Sequence, residues 1–141
     1  MSTNDTNVCL KTLADIQKEN ITFYIDAYQR GFRWTENEVR DLLEDIHEFS
    51  KSGYAANPKE ERFYCLQPVI VTKNKDNQYK VIDGQQRLTT LYLIFIYFIK
   101  TSMIRNGILP FKIVYNNKTR LEQCLKDVYD SGFTHSADLT P

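Results

Sequence analysis

Val81-Ile82-Asp83-Gly84-Gln85-Gln86-Arg87-Leu88-Thr89-Thr90-Leu91 is the stretch on which the fold turns: an apolar strand pattern ends in polar residues and an apolar helix pattern follows at once. The first turn of a helix leaves backbone N–H groups without intrahelical partners, and the aligned peptide dipoles add partial positive charge there, so phosphate is a natural ligand of such a junction. Gly84 lets the backbone come close, because it lacks a Cβ and tolerates positive φ. Gln85 and Gln86 add amide donors and acceptors, and Arg87 offers a permanently charged planar fork suited to bidentate contact. The bland alternative is a strand-to-helix turn whose polar residues face water, and the spacing alone leaves both readings open.

Outward from this junction, Gln78 to Ile82 reads as the second strand of a hairpin, with Lys73 to Asn77 as its polar turn and Phe63 to Thr72 as the first strand, centred on Val69-Ile70-Val71. Pro68 confines that first strand to an edge, a bulge or the start of pairing. After the junction, a long helix is predicted from about Leu88 to about Arg105, ended by Asn106-Gly107 through a left-handed cap. Phe111 to Tyr115 reads as a strand and Asn117 to Tyr129 as a helix with Leu121, Leu125 and Val128 on one face. Before the hairpin, Ile21 to Ile25 is a short β-branched and aromatic strand, and Val8 to Gln17 suits a short helix. Thr35-Glu36-Asn37-Glu38 matches a capping box, so a helix begins there, with Val39, Leu42, Leu43, Ile46 and Phe49 as its apolar stripe. Ser50 to Glu61 has turn chemistry and charge without an apolar period, the pattern of a surface loop.

The 141 residues suit one domain with a real core, and 42% hydrophobic with 13% aromatic residues argue for a folded chain. Residues 1–20 form an N-terminal segment with the short helix, 21–130 the body, and 131–141 a tail without pattern. Eighteen Lys and Arg balance eighteen Asp and Glu, so no overall basic field draws the chain onto nucleic acid. Arg30, Arg33, Arg40, Lys51, Lys59 and Arg62 are the candidates for a local patch. Cys9, Cys65 and Cys124 are odd in number and far apart, and no signal sequence precedes them, which fits a reducing cytoplasm. The apolar run Leu88 to Ile99 is shorter than the ~17–25 residues of a membrane span. Having only His47 and His135 and no close cysteine pair argues against the usual zinc sites, whereas carboxylate-bound magnesium stays open. His135, near the unpatterned end, reads as a surface residue.

Two segments together are more specific than either alone. Tyr28-Gln29-Arg30-Gly31-Phe32-Arg33-Trp34 precedes the capped helix, and Ile82-Asp83-Gly84-Gln85-Gln86-Arg87-Leu88-Thr89-Thr90 follows the hairpin. In this order they resemble the N-terminal domain family of GmrSD-type restriction enzymes, which is related to the ParB and sulfiredoxin-like superfamily. The resemblance runs from about Leu13 to about Tyr129. It implies an α/β (α+β) domain with a small mixed sheet and flanking helices, nucleoside triphosphate binding and hydrolysis, and a role in prokaryotic defence against foreign DNA. By position, Arg87 would hold phosphate charge, and Gln85 and Gln86 would orient phosphate oxygens or an attacking water, which makes Asp83 and Gln86 the catalytic candidates. Asp83 would also carry magnesium (Mg), and Gln29, Arg30, Gly84, Gln85, Arg87 and Thr89 would bind the nucleotide. Trp34 either stacks on a base or staples the first turn of the helix, and its place before the N-cap favours the staple.

Three positions depart from the family pattern: Asp26 and Gly31 stand where proline is common, and Gln67 where many relatives have glycine, which opens the pocket to its side chain. Relatives are usually longer and often carry a His-Asn-His nuclease motif that this chain lacks, so the resemblance implies an N-terminal fragment whose nuclease and DNA partner lie in a missing C-terminal region. The leading expectation is a nucleotide-hydrolysing module that gates that nuclease. The alternatives are a non-hydrolysing nucleotide or DNA sensor and, last, a direct nuclease built on Asp83, Asp26 and Asp76. Oligomeric state stays open.

Overall fold

A computed structural model describes residues 8–26, 28–53, 63–105, 107–116, 123, 127 and 130. The chain runs α1 (Leu13–Lys18), β1 (Thr22–Ile25), α2 (Glu36–Gly53), β2 (Ile70–Lys75), β3 (Gln78–Asp83), α3 (Gln85–Lys100) and β4 (Lys112–Tyr115). The strands form one mixed sheet in the order β2-β3-β1-β4. β1 is parallel to both β3 and β4, whereas β2 and β3 are the antiparallel hairpin. This is the small mixed sheet with helices that the α+β expectation describes. Its parallel strands bring the carboxyl ends of β1, β3 and β4 to one edge, where the loop after β1 and the start of α3 meet.

Alternation along β1 selects the core. Ile21, Phe23 and Ile25 turn inward onto Val81, Leu88, Leu91 and Phe111, joined at the margin by Leu13 and Ile16 of α1. Phe23 meets Phe111 edge-on, with ring centroids 5.4 Å apart. Thr89 and Thr90 are buried in α3 without loss, because each hydroxyl donates to the carbonyl one turn back, at Gln85 and Gln86.

Several boundaries differ from the sequence reading, each for a local reason. α1 starts at Leu13, leaving Val8 exposed, because Thr12 and Asp15 form a capping box. β2 begins at Ile70, not Phe63: Gln67 is left-handed with φ +69° and Pro68 has no N–H to donate. The strand then continues to Lys75, so the hairpin turn shrinks to Asp76-Asn77, with Asn77 at φ +58°. α3 starts at Gln85 and ends at Lys100, short of Asn106-Gly107. Ser102 is the left-handed residue there. The Met103 N–H reaches the Phe98 carbonyl and the Ser102 N–H the Ile99 carbonyl, a Schellman closure.

At Thr35 the glutamate arm of the expected capping box is present, and the hydroxyl arm falls one residue early. The Thr35 N–H donates to Glu38 at 2.7 Å, and the Asn37 N–H donates to the threonine hydroxyl. The stripe of α2 is narrower than predicted. Leu42 is buried and Val39, Ile46 and Phe49 half-buried, but Leu43 is 43% exposed. α2 continues through Gly53 into the predicted polar loop, of which residues 54–62 lie outside the described residues. The predicted helix Asn117–Tyr129 and His135 also lie outside them, apart from Gln123 and Asp127, whose side chains bond at 2.7 Å. No helix among the described residues is long and apolar enough to cross a membrane.

Candidate anion site at the start of α3

Gly84 is the N-cap of α3 and has φ +93°, and no side chain caps the helix. A Cβ at Gly84 would meet Val69, at 3.0 Å from its Cγ2 and 3.2 Å from its Cα. Glycine is therefore required twice over, by the left-handed turn and by the close approach of the chain just before β2. What results is a helix start whose first N–H groups carry no side-chain cap.

The two sequence motifs meet here, and glutamine amides join them. Gln85 Nε2 donates to the Arg30 carbonyl at 2.6 Å. Gln86 uses both ends of its amide, donating to the Gly31 carbonyl at 3.0 Å and accepting from the Arg33 N–H at 2.8 Å. Gln29 returns the contact, with Nε2 donating to the Val81 carbonyl at 2.5 Å and more weakly to that of Ile82. The loop after β1 is thus held through its backbone to β3 and α3. Since carbonyls can only accept, the –NH₂ groups of Gln29 and Gln85 are fixed toward them, and their Oε1 atoms point elsewhere. Both Oε1 atoms are buried with no partner among the described residues.

Arg87 faces the opposite wall. Nη1 donates to Gln67 Oε1 at 2.6 Å and Nη2 to the Pro68 carbonyl at 3.0 Å, while Nε is buried with no partner among the described residues. Arg30 and Arg33 are exposed on the loop, and Asp83 is exposed at the end of β3. Of the residues proposed from sequence, Gln29, Gly84, Gln85, Gln86 and Arg87 come together, with the backbone of Arg30. Thr89 does not join them as a ligand. It is 1% exposed, and its hydroxyl lies 2.5 Å from the hydroxyl of Tyr115, tying α3 to β4. Burial raises the Tyr115 phenol above its ordinary value, and the Thr89 contact partly offsets this.

Asp26, with Lys80 and Asn116, which the sequence did not single out, completes the edge. Asp26 forms an ion pair with Lys80 at 2.5 Å and accepts a hydrogen bond from Asn116, so one carboxylate links the ends of β1, β3 and β4. Lys80 first, then Asn116, holds Asp26 below the usual carboxylate range, and Asp26 raises Lys80 in turn. Lys80 Nζ also lies 5.4 Å from the centroid of the Tyr28 ring. The sequence marked Asp26 as standing where proline is common and as a candidate acid, and nothing in it pointed to Lys80 or Asn116.

A magnesium ion held by protein alone does not suit this edge: no group of three or more His, Cys, Asp or Glu side chains clusters among the described residues. A single carboxylate at Asp83 suits only a magnesium ion that arrives on phosphate oxygens with its own waters. The three acids considered for direct nuclease action are apart in role, since Asp26 is bound to Lys80 and Asp76 pairs with Lys73 at 3.2 Å in the hairpin turn. Of the local basic patch, Arg40 is paired with Glu36, and Lys59 and Arg62 lie outside the described residues.

Residues 10–139 fit the family described as GmrSD restriction endonuclease, N-terminal domain. No curated protein matches the chain.

Proposed function

This chain belongs to the GmrSD restriction endonuclease N-terminal domain family, a family of restriction and defence proteins, and from that premise we propose that the start of α3 binds a nucleoside triphosphate and that its hydrolysis gates a nuclease located elsewhere in the parent protein. The observation that carries the reading is the uncapped, glycine-opened helix start beside a guanidinium fixed by Gln67 and the Pro68 carbonyl. Free N–H groups at a helix N-terminus and a held guanidinium both favour a phosphate oxygen.

Arg87 would clamp the phosphates, and the N–H groups of the first turn would cradle them. Asp83 would hold the magnesium that neutralises phosphate charge. Gln29 Oε1 and Gln85 Oε1, acceptors without donors, suit an ordered water better than a phosphate oxygen. Gln86, with both amide atoms engaged by the loop, would act on the loop and not on the ligand. That engagement favours a second reading, a sensor without turnover, in which ligand at the helix start alters the grip on residues 30–33.

Calorimetric titration with ATP, GTP, CTP and UTP plus magnesium, with phosphate release followed in parallel, tests both. Saturable binding that Arg87→Ala abolishes in a folded chain is the expected result. Phosphate release then selects the enzyme, and its absence the sensor. Undiminished binding by Arg87→Ala would end the assignment of this pocket.

A further inference from the structure

Gln67 occupies a conformation that its residue type resists. Its φ is +69°, in the left-handed region where a Cβ crowds the following carbonyl, and it precedes Pro68, which itself steers the preceding residue toward extended backbone. Glycine would fit this position without strain. The side chain shows what the strain secures: Gln67 Oε1 accepts from Arg87 Nη1 at 2.6 Å, and the next carbonyl, at Pro68, accepts from Nη2 at 3.0 Å. Both terminal nitrogens of the guanidinium are thereby fixed by consecutive residues, and the remaining nitrogen, Nε, is buried with no partner among the described residues. Val69, the next residue, packs within 3.0–3.3 Å of where a Gly84 Cβ would sit, so the wall that grips Arg87 is braced against the cap of the same helix.

We infer that Gln67 is a positioning residue for Arg87: it holds the guanidinium in one orientation beside the start of α3, where its charge serves an anion, and the protein accepts left-handed strain at residue 67 to do so. The inference rests on the anion-site reading above for the identity of the ligand, but the restraint on Arg87 is a property of the protein alone. Backbone strain of this kind gathers at ligand clamps and active sites, where surrounding contacts hold it in place.

The test uses Gln67→Gly and Gln67→Glu in the full chain, with three readouts: melting temperature, hydrogen exchange of the Arg87 Nε–H by NMR, and titration with nucleoside triphosphate and magnesium. Gln67→Gly is expected to raise the melting temperature while accelerating Arg87 Nε–H exchange and weakening nucleotide affinity, each by about tenfold, as loss of one charge-assisted hydrogen bond implies. Gln67→Glu, which keeps the acceptor, should restore the slow exchange. A residue with a merely structural role would move stability and affinity in the same direction. Exchange unchanged in Gln67→Gly, or a lowered melting temperature, would overturn the inference, as would equal nucleotide affinity of the wild type and Gln67→Gly. If the wild-type chain binds no nucleotide, the proposed function fails, and the melting and exchange readouts still decide the role of Gln67.

Discussion

Asp26 shows how one side chain can stand in for a rigid backbone. Without proline, the end of β1 is fixed by the Asp26–Lys80 ion pair and by Asn116, so the restraint is electrostatic and depends on pH. Asp26 titrates below its ordinary value in the folded chain, so its stabilising share is present above the ordinary carboxylate range and is lost as pH falls through the lowered value. Lys80 is raised, so its share is present below the ordinary lysine value and lost as pH climbs through the raised one. Asp26→Asn should therefore be less stable than the wild type at neutral pH, with the gap closing at both acidic and strongly alkaline pH. Urea midpoints measured across pH will check this, and a gap that stays constant would mean that the ion pair contributes nothing. Gln86 gives a second residue-level expectation. Gln86→Ala removes both bonds to the Gly31–Arg33 backbone, costing about 1–2 kcal/mol, and should expose the Arg33 amide to exchange while amides in the middle of α3 stay protected.

At the scale of elements, the junction at Gly84 does more than end a strand. It sets the direction of α3, brings the helix start against Val69, and leaves the first turn uncapped, so the same glycine serves packing and site. Gly84→Ala combines a left-handed alanine with contacts at 3.0–3.2 Å to Val69, part of it backbone that cannot swing aside. The expected loss is about 2–4 kcal/mol, read as a shift in the denaturation midpoint, and a loss below about 1 kcal/mol would mean the turn relaxes to another conformation. The strand-to-helix change here was legible because the period of apolar residues switches within a few positions. The same reasoning found β1, β3, β4 and the cap at Thr35. It misplaced the start of β2 and the end of α3, because both depend on non-glycine residues, Gln67 and Ser102, held in left-handed backbone by tertiary context that no local propensity records. It also widened the α2 stripe to Leu43, since periodicity alone does not say how much of a helix face is covered.

For the molecule as a whole, the site was readable as a set of residue types but not as a set of jobs. Gln85, Gln86 and Arg87 stand together in sequence, yet two of them reach the loop after β1 and the third reaches the segment before β2, and only the sheet order β2-β3-β1-β4 puts those walls on either side of one helix start. Charge follows the same division between sequence and assembly. The chain is neutral overall, with eighteen basic and eighteen acidic residues, and Arg40, Lys73 and Lys80 are engaged in ion pairs, whereas Arg87 is held at the start of α3 by Gln67 and the Pro68 carbonyl. One fixed guanidinium at a helix start suits a small anion, whereas a duplex would need a long row of phosphate contacts. A protein making 6–10 phosphate contacts loses about 10³–10⁵ in affinity between 50 and 200 mM salt. Nucleoside triphosphate binding by this chain should fall by less than about tenfold over the same range, because a shaped pocket relies on direct hydrogen bonds more than on counterion release. Titrations at several salt concentrations, with a triphosphate and with a short DNA duplex, separate the cases. Steeply salt-dependent duplex binding with no binding of the nucleotide would assign Arg30, Arg33 and Arg87 to DNA, and the helix start would then be one phosphate contact in a longer interface.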